Sequence, residues 1–120
     1  MRKTSIAWTT DAAGAASVYG ASIFSKVIAI DYLPGTTDTG ATVTVTCEGG
    51  ITTTLLAKTS AGTANVRYYP RVLVHGNTDG AALTGTSGGD REPSLAQGRL
   101  KVVIASGGNT LSGSVVIHYE

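Results

Sequence analysis

The sequence predicts an all-β fold, an antiparallel β-sandwich or small β-barrel of about seven or eight short strands in a single domain over residues 1–120. Three observations predict it. Apolar residues alternate with polar ones at a period of two along most of the chain, Gly-rich turns recur between these segments, and no segment carries a helical apolar stripe of useful length. A chain of this length can bury one core without disulfides.

The clearest strand is the segment 42–47, in which Val43, Val45 and Cys47 alternate with three threonines. This alternation is typical of a half-buried antiparallel strand with one face in the core. The segment 23–33 predicts a longer and more central strand, because both of its side-chain phases are largely apolar.

Turn residues predict two hairpins. Residues 106–110, rich in Gly, Ser and Asn, separate the apolar runs 99–105 and 111–119 and are tolerant of positive φ. Residues 48–50 separate the strand at 42–47 from a strand at 51–58 in the same way. We expect both pairs of runs to form β-hairpins.

Further strands are expected at residues 5–9, around 18–19 and at 65–74, where Pro70 places the strand at an edge or bends it. Pro93 suits the start of one helical turn over residues 93–97. The apolar phases of the strands predict one core that contains Val43, Val45, Cys47, Ile28, Ile30, Val103 and Val116.

The segment 75–98 departs from this rhythm and predicts a long irregular connection, because it is rich in Gly and also contains Asn77, Asp79 and Pro93. Connections of this length are uncommon in a compact domain unless they are functional or disordered. It is therefore the first candidate for contact with a partner, and a solvated loop without a role is the alternative.

Composition excludes several function classes. Charged residues make up 14% of the chain and the net charge is +1, without a Lys/Arg run, so nucleic acid is not an expected partner. No run approaches the ~20 apolar residues of a membrane span, and the start of the chain lacks the apolar stretch of a signal peptide, so we expect no membrane partner. A surface with so little charge suits a subunit of an assembly.

The sequence shows no catalytic, metal or cofactor site, and we expect a protein that is not an enzyme. Residues 85–89 match the G-x-S-x-G pattern around Ser87, but they lack the strand and helix that a nucleophile elbow requires. Neither His75 nor His118 has a second ligand at metal spacing. The lone Cys47 falls in an apolar phase, where a buried and inert thiol is expected.

A group of Tyr and Arg residues is the best candidate for a protein interface, because these residue types are favoured anchors there. Adjacent tyrosines on a strand face opposite sides, so at least one of the pair at 68–69 can point outward, and one core Tyr beside one rim Tyr is the alternative. The predicted interface residues are Tyr68, Tyr69, Arg71, His75, Leu83, Arg91 and Leu95.

Four segments follow one another along the chain: Thr9-Thr10-Asp11, residues 26–32, residues 68–71 with His75 behind them, and residues 98–109. Their order resembles small proteins of tailed bacteriophages that are encoded near the capsid genes. The resemblance implies a capsid decoration (cement) protein, made in the host cytoplasm and located on the virion. It further implies that the major capsid protein is the partner and that the chain forms a homo-oligomer, with a trimer preferred.

Three other functions stay open at this point. The same resemblance is compatible with a tail or neck protein of the virion. A carbohydrate-binding β-sandwich is possible because Trp8 and five tyrosines are available to stack on sugar rings. A small hydrolase is the least supported of the three, since no converging set of titratable groups is evident.

Overall fold

The computed structural model describes residues 1–73 and 91–120, and in these residues the regular secondary structure consists of β-strands. The strands are β1 (Arg2–Thr9), β2 (Ala16–Leu33), β3 (Thr42–Glu48), β4 (Thr53–Lys58), β5 (Val66–Tyr68), β6 (Arg71–Leu73), β7 (Arg91–Ala105) and β8 (Ser112–Tyr119). Their pairings are antiparallel, which confirms the predicted all-β class. In this part of the chain no helix is long and apolar enough to span a membrane.

The strands are ordered β1-β8-β2-β7-β3-β4, with β5 paired to β2 and β6 paired to β7. The 18-residue strand β2 takes part in two groups of strands. Its residues 16–27 pair with β7, while its residues 27–33 pair with β8. We refer to β4, β3, β7 and the first part of β2 as the β3 half, and to β1, β8, β5 and the second part of β2 as the β8 half.

Two irregularities in β2 change which of its side chains face the core. The register shifts between Tyr19 and Ser22 against β7, and again between Val27 and Ala29 against β8. A β-bulge of this kind adds a residue and reverses the inward and outward phases that follow it. The core cluster accordingly takes odd-numbered residues of β2 from Ile23 to Val27 and even-numbered ones from Ile30 to Tyr32.

A glycine allows the first of these irregularities to sit against β1. A β-carbon built at Gly20 would lie 2.5 Å from Cδ1 of Ile6, which is closer than packed carbon atoms approach. A larger residue at this position would displace the buried Ile6 side chain, so Gly20 lets β1 and β2 pack closely here.

The first predicted hairpin is wrong, because β7 and β8 do not pair with each other. Both strands pair with β2 instead, which lies between them in the sheet. The connection does contain positive φ angles at Ser106, Gly108 and Thr110, as its composition indicated. The hairpin around Gly49 and Gly50 is confirmed by the pairing of β3 with β4.

The expected irregular connection at 75–98 is wrong in its last part, because β7 begins at Arg91 and residues 93–97 form strand instead of a helical turn. Pro93 lies where β7 changes partner: residues up to Pro93 pair with β6, and the pairing with β2 begins at Ser94. Gly98 adopts φ +114°. A β-carbon at this residue would overlap the carbonyl oxygen of Glu48. Residues 74–90 lie outside the described residues.

The strand expected at 65–74 is divided at Tyr69 and Pro70 into β5 and β6. β5 pairs with β2, whereas β6 pairs with β7. Pro70 therefore marks a bend in the chain, as its lack of an N–H donor indicated.

The predicted core is correct in part. Val43, Val45, Cys47 and Ile30 are fully buried, but Ile28, Val103 and Val116 are only half-buried. In β7 and β8 the neighbouring phase faces the core, through Leu100, Val102, Ile104, Val115 and Ile117. Lys101 shares the phase of Val103 and His118 shares the phase of Val116, so the alternation in both strands indicated the observed faces, and Val103 and Val116 were assigned to the wrong phase.

An aromatic pair closes the core of the β8 half. The rings of Trp8 and Tyr32 stack with centroids 6.0 Å apart and an interplanar angle of 13°. The Trp8 indole N–H donates to the Thr37 hydroxyl at 3.2 Å, so its polar atom is satisfied. Trp8 is buried and is not available to stack on a ligand.

The register of β3 gives a matched test of the core. Val45→Asp places a carboxylate among apolar side chains, and we expect it to lower the free energy of unfolding by about 3 to 5 kcal/mol. Thr44→Asp changes the adjacent residue on the opposite face and should cost less than about 1 kcal/mol. Urea unfolding of both variants measures the difference. Equal losses would mean that β3 does not present alternate residues to the core.

Candidate functional site

The structure places the predicted interface residues in different environments. Tyr69 and Leu95 are 59% and 56% exposed, and Arg91 is exposed as well. Tyr68 is half-buried and packs against the core cluster. His75 and Leu83 lie outside the described residues, as does Ser87.

Three large apolar side chains are exposed on the outer surface of the β3 half. They are Phe24 on β2 (74% exposed), Leu95 on β7 (56%) and Ile51 in the β3–β4 connection (85%). Phe24 lies opposite Gln97 in the register, which places it diagonally across from Leu95 and within reach of it. We refer to Phe24, Ile51, Leu95 and Gln97 as the Leu95 face.

A shallow recess of about 400 Å³ lies within the Leu95 face. It is lined by Gly50, Ile51, Thr53, Leu95 and Gln97. Gly50 contributes no side chain to this lining, so backbone forms that part of the wall. It gives the apolar surface a concave centre into which a partner side chain can pack.

A cationic rim borders the Leu95 face further along β7. The Arg99 guanidinium lies 3.6 Å from the centroid of the Tyr19 ring, and the Lys101 amine lies 5.1 Å from it. Lys101 also forms an ion pair with Glu48 at 3.6 Å. An apolar centre with a charged and aromatic rim is the usual anatomy of a protein interface.

The sequence prediction found Leu95 but missed Phe24 and Ile51. A signal for Phe24 was present, because it falls in the same strand phase as Lys26 and so faces solvent with it. For Ile51 the signal was weaker, since an apolar residue next to a Gly turn is as consistent with burial as with exposure.

A second group of polar residues lies on the outer surface of the β8 half. The Arg67 guanidinium donates to both carboxylate oxygens of Asp31, from Nε at 2.5 Å and from Nη2 at 2.9 Å. Nε2 of His118 lies 3.0 Å from Oδ2 of the same carboxylate. Hydrogen bonds from Arg67, together with the His118 ring, hold the pKa of the Asp31 carboxyl well below its usual range, against the opposing effect of burial.

An open cleft of about 420 Å³ adjoins this group. We refer to it as the Asp31 cleft, and it is lined by Asp31, Leu33, Asn65, Val66, Arg67 and Tyr69. It shares no lining residue with the recess of the Leu95 face. The sequence prediction found only Tyr69 of this set, because the ion pair joins residues that are far apart in the chain.

Arg71, a predicted interface residue, is half-buried and has a structural role in the fold. Its Nη1 donates to the carbonyl of Ile28 at 3.1 Å and to the carbonyl of Pro70 at 2.7 Å. Ile28 is the residue at the second irregularity of β2, where a bulge leaves a backbone group outside the ladder. Arg71 therefore stabilises the bulge and the bend at Pro70, while its guanidinium lies 5.6 Å from the Tyr69 ring centroid.

The remaining chemistry of the described residues is limited. Residues 1–73 and 91–120 contain no group of three or more His, Cys, Asp or Glu side chains placed to hold a metal ion. Burial raises the pKa of the Cys47 thiol, which agrees with the inert role expected for it.

Comparisons of the chain with protein-family models, with curated proteins and with solved structures give no match.

The Asp31 ion pairs predict a dependence of stability on pH. Because the pKa of Asp31 is lower in the folded state than the ~3.9 of an unfolded chain, its contribution is fully present above that value and is lost as the pH falls below it. We expect Asp31→Asn to be less stable than the wild type at pH 7, with the difference shrinking below about pH 4. Urea midpoints measured from pH 7 to pH 2.5 test this. A difference that does not change with pH would show that the carboxylate charge is not what stabilises the fold.

Proposed function

We propose that this chain is a bacteriophage capsid decoration (cement) protein, a subunit without enzymatic activity that binds the outer surface of the head and stabilises it. The observation that carries the proposal is the Leu95 face, on which Phe24, Ile51 and Leu95 are exposed together. The resemblance of the sequence to small phage proteins encoded near the capsid genes supports the same conclusion.

Exposure of three large apolar side chains at one place favours association with another protein. Each gains roughly 1.5 to 3 kcal/mol when it is moved fully from water into an apolar contact. Single exposed apolar residues are ordinary on a protein surface, but a contiguous group with a polar rim is typical of an interaction site. The recess between Ile51 and Leu95 offers a pocket for an anchoring side chain.

The partner we propose is the major capsid protein. The rim of the Leu95 face carries Arg99 and Lys101 against Glu48, so the surface that complements it has an apolar centre with acidic groups at its border. A shell presents such a surface many times by symmetry. If the decoration protein is a homo-oligomer, with a trimer preferred by analogy with decoration proteins, several modest contacts add through multivalency.

The low charge of the chain also supports a role in an assembly. Only 14% of its residues are charged, and much of the outer surface of β3 consists of threonines. A surface of this kind offers little electrostatic repulsion to a neighbouring copy or to the shell. The virion is accordingly the proposed location, after synthesis in the host cytoplasm.

Binding to capsids prepared without this protein tests the proposal. We expect the intact chain to bind them, and we expect Leu95→Ser combined with Phe24→Ser to weaken binding at least tenfold, because two of the three exposed apolar side chains of the face are lost. Both side chains are exposed, so the double variant should retain the wild-type circular dichroism spectrum and thermal midpoint.

Tyr69→Ala is the matched control, since it removes a large exposed side chain outside the Leu95 face. Its capsid binding should equal that of the intact chain. Undiminished binding by the folded double variant would contradict the assignment of the interface. Binding of the intact chain to isolated tails or necks but not to capsids would replace the proposed head position with one of those.

A further inference from the structure

The Asp31 cleft combines the two kinds of surface that a small polar ligand with an apolar face requires. Its lining includes the Tyr69 side chain, 59% exposed, and the apolar residues Leu33 and Val66. It also includes a carboxylate, an amide and a guanidinium from Asp31, Asn65 and Arg67. Small-molecule sites have this composition, an apolar wall with a few converging polar groups, and volumes of roughly 300 to 1,000 Å³.

Two polar groups of the cleft, the Asp31 carboxylate and the Arg67 guanidinium, are held in place before any ligand binds. The two hydrogen bonds between Arg67 and Asp31 fix the plane of both groups, and the His118 ring holds the carboxylate from another strand. A ligand therefore orders few side chains when it binds, which reduces the entropic cost of binding.

The donor and acceptor pattern of the cleft fits hydroxyl groups. Asp31 accepts only, because its carboxyl stays ionised, whereas Arg67 donates only and Asn65 does both. A pair of neighbouring hydroxyls, each of which is donor and acceptor, can satisfy such adjacent groups together. A phosphate or carboxylate ligand would meet the Asp31 charge, and the charge of Arg67 is already compensated by it.

The aromatic ring of Tyr69 gives the cleft an apolar contact surface in addition to its hydrogen-bonding groups. Tyr69 projects at the bend between β5 and β6, and the Arg71 guanidinium lies 5.6 Å from its ring centroid. Contact with Arg71 restrains the ring, while more than half of the side chain stays accessible. An aromatic ring presented in this way packs against the C–H face of a pyranose, which is apolar although its edges are polar.

From this geometry we infer that the Asp31 cleft is a binding site for neutral saccharides, with Tyr69 as the stacking residue and Asp31, Asn65 and Arg67 as the hydrogen-bonding residues. The site lies on the β8 half, whereas the proposed capsid contact lies on the β3 half. The inference does not rest on the proposed function, and one surface can be occupied while the other is bound.

Saturation-transfer NMR on the full chain tests the inference. The probes are the methyl glycosides of glucose, galactose, mannose and N-acetylglucosamine, with N-acetylneuraminic acid as the anionic comparison. We expect transfer to the ring protons of at least one neutral glycoside, and we expect Tyr69→Ala to reduce that transfer at least fivefold because the stacking surface is lost.

Tyr19→Ala is the matched control, because it removes a partly exposed tyrosine of the β3 half and should leave the transfer unchanged. Asp31→Asn changes one of the proposed hydrogen-bonding residues and should also reduce the transfer. Thermal unfolding verifies that each variant is folded at the temperature of measurement. Absence of transfer to every neutral glycoside would overturn the inference, as would transfer that Tyr69→Ala does not reduce or transfer confined to N-acetylneuraminic acid. Capsid binding by Tyr69→Ala is measured separately, so either conclusion can fail without the other.

Discussion

The fold depends on one strand that serves two groups of neighbours. β2 forms its ladder with β7 over its first part and with β8 and β5 over its second. A strand with a strict period of two would present the wrong face to the core in one of these parts. The bulge between Val27 and Ala29 removes the conflict by reversing the phase, so that Val27 and Ile30 both enter the core. Arg71 donates to the backbone carbonyl at this bulge and so stabilises the feature on which both halves depend.

The same bulge determines where the two candidate sites face. Between the first irregularity and this bulge, the even-numbered residues of β2 point outward, and Phe24 is exposed on the Leu95 face. After it, the odd-numbered residues point outward, and Asp31 reaches the cleft beside Arg67. A continuous register through residues 27–29 would bury one of these side chains. The apolar surface of the β3 half and the polar cleft of the β8 half are therefore consequences of a single backbone feature.

The sequence predicted the fold class and one hairpin, but not the pairing of β7 and β8 with β2. β3 alternates valine with threonine, so its inward face was predicted correctly. In β7 and β8 three apolar residues are consecutive around Val103 and Val116, and the prediction chose the middle one, although Lys101 and His118 share these phases and indicated the opposite face. The turn at 106–110 reverses the chain as its residues indicate, but the turn does not determine that β2 lies between the two strands.

The candidate sites show the same limit. Leu95 and Tyr69 were predicted as interface residues, and both are exposed. Prediction of the Leu95 face as a whole required the register of β2 against β7, which pairs Phe24 with Gln97. The ion pair of Asp31 with Arg67 required the pairing of β2 with β5. Pro93 and Gly98 indicated a loop by composition, yet both lie within β7, one where the strand changes partner and the other where the Glu48 carbonyl approaches.

Native-state hydrogen exchange tests most directly whether β2 joins the two halves into one cooperative unit. Amide exchange of the core residues is measured by NMR at increasing concentrations of urea below the unfolding transition. If β2 unites the halves, Val45 in β3 and Ile117 in β8 should exchange with the same free energy, equal to that of global unfolding. Exchange of Ile117 through an opening several kcal/mol less costly, with Val45 still protected, would contradict the account, because the β8 half would then unfold by itself.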